Sequence, residues 1–262
     1  MKNRHPTDRQ IAAAIRRGFG QGEGDEYLPW VYVRDVASHG RSWMTKSLRT
    51  GRTHHYTTDA QRQIHLLLDY QADITSIRDQ FALLPREETV AIAERLELKH
   101  PIYPKTGVVK VLYTPILARR RTPMGTQETA VEVTPSSITR SLAAELVIKR
   151  VYWERRGVTW MTMSPKDIPQ PKAKNRCFFH ALVSASPPQA SQPSATSLKA
   201  SVTAHWHPQL TLNDLAHAVA SEFAVGFSVA LSLIGQAVLQ RQIELDDSHL
   251  VSHFAPFPLK AD

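Results

Sequence analysis

At 262 residues, with 42% hydrophobic and 21% charged positions, the chain has the composition of a globular protein, which excludes disorder throughout. Thirty-two Lys and Arg against 24 Asp and Glu leave a net +8, a balance that favours polyanionic partners, nucleic acid first. The single Cys177 excludes an internal disulfide framework and a cysteine-cluster zinc site, and predicts a reducing, cytoplasmic setting.

The start, Met1 to Pro6, has no apolar stretch behind it, so no signal peptide is expected. Thr7 predicts the cap of a helix from Asp8 to about Arg17, ended by Gly18 and Gly20. The glycine-rich tract from Gly18 to Gly24 is not a phosphate loop, because no strand precedes it and no Gly-Lys-Ser/Thr follows. It reads as a flexible arm. Thr58 predicts the cap of a helix with Ile64, Leu67 and Leu68 on one face, and a second helix is expected from about Glu87 to Leu96. Val108 to Leu117 and Thr129 to Thr134 read as two strands joined by a basic turn at Arg119-Arg120-Arg121. A long helix from Ile138 to Arg156 ends at Gly157, and a strand from Val158 to Met163 follows. Helix, strand pair, helix, strand is an α/β core.

Ser184 to Ser201 has three prolines, many Ser and Ala, and one charge. Such a segment reads as a linker or as a long surface loop. The expected division is a first domain over 1–183, a linker over 184–204 and a small domain over 205–262. Charge divides at the same place: two cations against six anions follow His205, a net −4, which leaves +12 on the rest. Within the small domain, Phe223 to Leu239 is uncharged and largely apolar for 17 residues, with Ser228, Ser232 and Gln236 among them. A membrane span needs about 20, and Phe223, Phe227, Leu231, Ile234 and Val238 recur at helical spacing, which predicts a buried helix and no membrane. Leu212–Glu222 and Ser228–Gln240 as helices, then Ile243–Val251 as a hairpin, give a winged-helix outline. Glu244, Asp246 and Asp247 on that wing would repel phosphates, so it is expected to meet protein.

The α/β order, with a strand pair between helices, is how one broad class of Mg²⁺-dependent nucleases is built. Several blocks then stand in order. They are Gly20-Gln-Gly22-Glu-Gly24 with Tyr27-Leu-Pro29-Trp30, Val33 to Ser42, and Thr50-Gly51-Arg52-Thr53-His54-His55. Ile77-Arg78-Asp79-Gln80-Phe81-Ala82-Leu83-Leu84-Pro85, Leu98-Lys99-His100-Pro101, and Arg150 with Tyr152-Trp153, Gly157 and Trp160 complete the series. On these blocks the chain, over about residues 10 to 165, resembles TnsA, the endonuclease subunit of heteromeric cut-and-paste transposons. The resemblance implies a restriction-endonuclease-like, PD-(D/E)xK-type first domain, a winged-helix second domain, and cutting of 5′ strands at transposon ends. It also implies a TnsB-like transposase and a TnsC-like AAA+ ATPase as partners.

The positions of the family's active site are occupied differently. Thr58-Asp59-Ala60-Gln61 places Gln61 where the family has a glutamate. Pro115, after Thr114, stands where an aspartate belongs, and Val131-Glu132-Val133-Thr134 stands where Val-Gln-Val-Lys is expected, so Glu132 and Thr134 replace an amide and the lysine. Gln61 keeps the size and loses the charge, Pro115 has no side-chain ligand, Thr134 has no amine, and Glu132 adds one carboxylate. The resemblance therefore implies a scaffold that bridges transposase, regulator and transposon-end DNA without cutting. No metal or other cofactor is expected, with Mg²⁺ only in the alternative of an endonuclease rebuilt from Asp59, Asp69, Glu128, Glu132 or Glu145. A domesticated DNA-binding regulator is the other alternative. Arg41, Arg52, Arg119, Arg120 and Arg121 are the expected DNA contacts, and Glu244, Asp246 and Asp247 the expected protein contacts. His54-His55 and His205-Trp206-His207 read as loop histidines or as metal ligands lacking a third partner. Trp30, Trp43, Trp153 and Trp160 read as core or as base-stacking platforms.

Overall fold

The computed structural model describes residues 5–36, 41–185 and 193–260. They form two compact units, Met1–Ile168 and Pro169–Asp262. The first begins with α1 (Asp8–Arg16), which Thr7 caps in a reciprocal box with Gln10. Its inner face carries Ile11 and Ala14 against Trp30, Ala82 and Val111. The glycine tract expected as an arm is instead a docked turn. Gly18, Gly20, Gly22 and Gly24 all have positive φ, the Gly20 N–H donates to the Leu28 carbonyl at 2.6 Å, and a Cβ on Gly20 would run into that of Ala82.

Strands β1 (Trp43–Lys46) and β2 (Thr53–Tyr56) pair as an antiparallel ribbon. Helix α2 (Asp59–Asp69) follows, capped by Thr58, then β3 (Ile74–Ala82) and α3 (Arg86–Arg95). After these come β4 (Tyr113–Thr122), β5 (Gly125–Val133), α4 (Arg140–Glu154) and β6 (Thr159–Met163). The main sheet has the order β3-β4-β5-β6, antiparallel except for the parallel β5–β6 pair. Parallel neighbours need a crossover, and α4 supplies it. Ile148, Tyr152 and Trp153 of α4 lie on Leu117, Ala130, Leu83 and Ile92. Trp30 and Trp153 are core residues, each 2% exposed. This mixed α/β unit is consistent with a PD-(D/E)xK-like core.

Two expectations change here. Arg119, Arg120 and Arg121 lie inside β4, paired with Glu128, Gln127 and Thr126 of β5, and the turn is Pro123-Met124. Strand β3 was not expected as a strand, because Arg78-Asp79-Gln80 interrupts its apolar alternation.

The second unit holds α5 (Gln170–Ala185), α6 (Ala195–His205), α7 (Leu212–Glu222) and α8 (Phe227–Leu239). The division at Ile168 puts α5 with this unit, against α8, where Gly235 would place a Cβ 3.2 Å from Val183 and 3.3 Å from Phe179. Much of the expected linker 184–204 is helix: Ala185 ends α5, Ser194 caps α6, and Leu198 and Val202, four apart, are buried. Residues 186–192 of that segment lie outside the described residues. Ile243–Val251 is not a hairpin. Leu245 instead bridges Leu259, and Thr211 bridges Pro256. Helix α8 is largely buried in its own unit. Among the described residues no single helix is long and apolar enough to cross a membrane.

Candidate active site

The positions singled out in the sequence come from three elements. Gln61 is in the first turn of α2, which packs against β3 and β4. Ile116 of β4 pairs with Val131 of β5, so Pro115 and Glu132 are the next residues along two adjacent strands. Thr134 follows β5, its N–H donating to the Met163 carbonyl at 2.9 Å.

Each is engaged locally. The Gln61 Oε1 accepts from the Thr57 N–H at 2.9 Å and from the Thr57 hydroxyl at 3.2 Å. Pro115 has no N–H to give the ladder, which accommodates it. Asp79 pairs with Ile116 and Phe81 with Thr114, leaving Gln80 between them at φ 48°. The Gln80 carbonyl accepts instead from the Trp30 N–H, and its amide donates to the His55 carbonyl at 2.8 Å.

Glu132 is the ionisable member of the group. Its Oε2 lies 2.9 Å from the Lys149 Nζ on α4, and the same Nζ lies 2.7 Å from the Glu145 Oε1 one turn earlier. The lysine side chain is 4% exposed and that of Glu132 is 10%. Burial pushes the Glu132 carboxyl up, against the pull of Lys149. Burial works against Lys149 too, but the two carboxylates outweigh it and hold the ammonium above its usual range. Glu145 is held below the usual carboxylate range: burial opposes this, and the Lys149 charge and hydrogen bond prevail. Beside them burial pushes the Tyr113 phenol up to about 12.

A divalent magnesium ion asks for near-octahedral oxygen ligands. Here Gln61 offers an amide oxygen already taken, Pro115 nothing, Thr134 a hydroxyl beside a carbonyl, and Glu132 a carboxylate already neutralised. That donor set, so arranged, does not fit the ion. Among the described residues no three His, Cys, Asp or Glu are grouped to hold a metal.

A second polar cluster, not anticipated as such, is built on Asp79 of β3. Its side chain is fully buried. Its Oδ1 pairs with Arg52 at 2.7 Å and lies 3.2 Å from His54 Nδ1, and its Oδ2 accepts from the His55 N–H at 2.7 Å. His54 and His55, read as loop histidines, are therefore buried in β2. The ring of His65 on α2 lies tilted against that of His54, their centroids 4.4 Å apart.

Most of the expected contact residues have internal partners. Arg52 is held by Asp79 and by the Ile77 carbonyl. Arg119 pairs with Glu23 at 2.5 Å and Glu128 at 3.1 Å, and Arg120 with Asp73 at 2.9 Å. Arg41 and Arg121 are exposed. In the second unit Glu244 lies 3.5 Å from Lys260, and Asp247 lies 3.4 Å from Lys172. Asp246 accepts from Ser248 and His249, which lower its carboxyl to about 2. His205 faces Glu222 at 3.0 Å. A groove of about 920 Å³ beside α4 is lined by Lys99, His100, Ile102, Lys110, Arg140 and Val147, among others.

Sequence reasoning missed Lys149 and Glu145 as partners of Glu132. The signal was present: Lys149 stands among Val147, Ile148, Val151 and Tyr152, and a lysine on an apolar helix face needs a buried counter-charge.

The chain is 35% identical over 162 residues to the Transposon Tn7 transposition protein TnsA of Escherichia coli, an alignment covering 61% of this chain and 58% of that protein. It thus spans less than two thirds of that relative's length. No family model matches the chain.

Proposed function

We propose that the protein is a TnsA-like component of a DNA transposition machine that bridges transposase, AAA+ regulator and transposon-end DNA and does not cut. The family reading is supported by the 35% identity and by the α2, β4, β5, α4, β6 order of the first unit. The single observation that carries the non-cutting part is the state of Glu132. The one carboxylate at the old catalytic position is neutralised by Lys149, with Pro115 beside it and the Gln61 amide turned to Thr57. For DNA, of the expected contacts Arg41 and Arg121 are exposed, and Lys110 and Arg140 line the α4 groove. For the second unit, the bridges Thr211–Pro256 and Leu245–Leu259 around α7 and α8 favour a winged-helix arrangement, whose Glu244, exposed although it lies beside Lys260, is the proposed acidic contact for a partner protein. Such a machine would work in the cytoplasm.

The products of transposition test this reading. Without a 5′-strand cut the donor stays joined to the inserted element. A cell whose TnsA-like protein is this one alone should yield cointegrates. Simple insertions would contradict the proposal.

A further inference from the structure

The misfit between this site and a divalent ion has a definite shape. Lys149 does not merely lie near Glu132. It bridges two carboxylates of different elements, Glu132 of β5 and Glu145 of α4, at 2.9 and 2.7 Å, with its side chain 4% exposed. Two carboxylates brought together inside a protein need a cation between them, because the like charges repel and both lose water. A divalent ion meets that need with oxygen contacts of about 2.0–2.6 Å. An ammonium meets it with charge-assisted hydrogen bonds. The Tyr113 ring lies 5.5 Å from the same Nζ and adds a cation–π contact. Unlike an ion, this cation is tethered to α4 and cannot be chelated away.

We infer that Lys149 is a resident internal cation standing in the place of a divalent metal, and that Glu132 and Glu145 form a masked metal site that opens only when Lys149 is removed. The inference rests on reading the Pro115–Glu132 edge as the old catalytic position, and it adds the reason why Glu132 persists there without chemistry. A carboxylate without its ion would be a buried, unpaired charge; the lysine makes it a satisfied part of the core.

The test is Mn²⁺ binding, followed by thermal melting and titration calorimetry on the full chain. The wild-type protein should melt at the same temperature in EDTA and in millimolar Mn²⁺. Lys149→Ala should melt about 6–20 °C lower in EDTA, as expected for opening a buried ion cluster. Mn²⁺ at about ten times its Kd should restore about 3–6 °C of that loss. Adding Glu132→Gln should abolish the restoration. A wild-type melting shift with Mn²⁺ that vanishes in Glu132→Gln would overturn the inference, and so would a Lys149→Ala protein that binds no Mn²⁺. The wild-type arm decides the matter even if Lys149→Ala does not fold. Failure here is distinguishable from failure of the functional reading. Glu132-dependent Mn²⁺ binding by the wild-type protein without cleavage would sink the internal cation alone, whereas DNA cleavage by a wild-type protein with no Glu132-dependent metal would sink the non-cutting proposal alone.

Discussion

Asp79→Asn is the sharpest probe of how the first unit is held together. The carboxylate is fully buried, pairs with Arg52 at 2.7 Å, lies 3.2 Å from His54 and accepts the His55 N–H at 2.7 Å. It thus joins β2 to β3, where the side chain of Gln80 also ties β3 to the His55 carbonyl. Asparagine keeps the shape but removes the charge and turns one acceptor into a donor that must face either Arg52 or the His55 N–H. Breaking one partner of a buried ion pair costs about 3–5 kcal/mol, which for a unit of this size is a fall of about 6–20 °C in Tm. The pH dependence checks the cause. Burial opposes the charge of Asp79, yet His54, Arg52 and the His55 N–H hold its carboxyl well below the usual range. A depressed carboxylate stabilises the fold above its unfolded pKa of about 3.9, and that stability is lost as pH falls below it. Denaturant melts of wild type and Asp79→Asn from pH 7 to pH 3 should therefore begin to draw together below about pH 4, the gap narrowing by about 1 kcal/mol at pH 3. A loss below about 1 kcal/mol at pH 7, or parallel curves down to pH 3, would refute the reasoning.

Burial also lowers the imidazole pKa of His55 and of His100. The fold favours the neutral form of both, so they contribute stability above about pH 6.5 that is lost as pH falls from there towards their folded values. The wild-type Tm should fall between pH 7 and pH 5, and His100→Gln should flatten part of that slope; an unchanged slope would exclude His100 as a cause. Gly20→Ala should destabilise by about 2–4 kcal/mol, since it forces φ +74° on an L residue and drives a Cβ into Ala82. A neutral result in a chemical melt would mean the glycine turn is not docked on β3. Gly235→Ala should cost about 1–3 kcal/mol by wedging α8 off Val183 and Phe179 of α5, and an unchanged melt of the second unit would argue against that packing.

How much of this was legible depended on whether the pattern was local. Caps announced themselves: Thr7 and Thr58 stand before helices that start where expected. The α4–β6 segment was readable because Gly157 ends one apolar periodicity and starts another. Strand β3 was hidden by its own polar residues. Asp79 and Arg78 are buried only because Arg52, His54 and Glu128 come to them from other elements, and one strand's sequence cannot announce that. The arginine run misled for the opposite reason: three cations suggest a solvated turn, whereas Glu23, Glu128 and Asp73 let Arg119 and Arg120 lie in a strand. The identities of Gln61, Pro115 and Thr134 were visible position by position. The Lys149 bridge was not, because it joins β5 to a helix 17 residues away.

The central claim is that the first unit keeps a nuclease-like core whose catalytic position has been closed by Pro115 and by the Lys149–Glu132–Glu145 cluster. Its most direct test is strand-resolved cleavage of end-labelled transposon-end DNA. The purified protein would be combined with the TnsB-like transposase proposed as its partner, in Mg²⁺ and again in Mn²⁺. The account predicts normal cutting of the 3′ ends and intact 5′ strands in both metals. Cutting of 5′ strands that disappears in Glu132→Ala would contradict it and would mean that the active site has been rebuilt around that carboxylate.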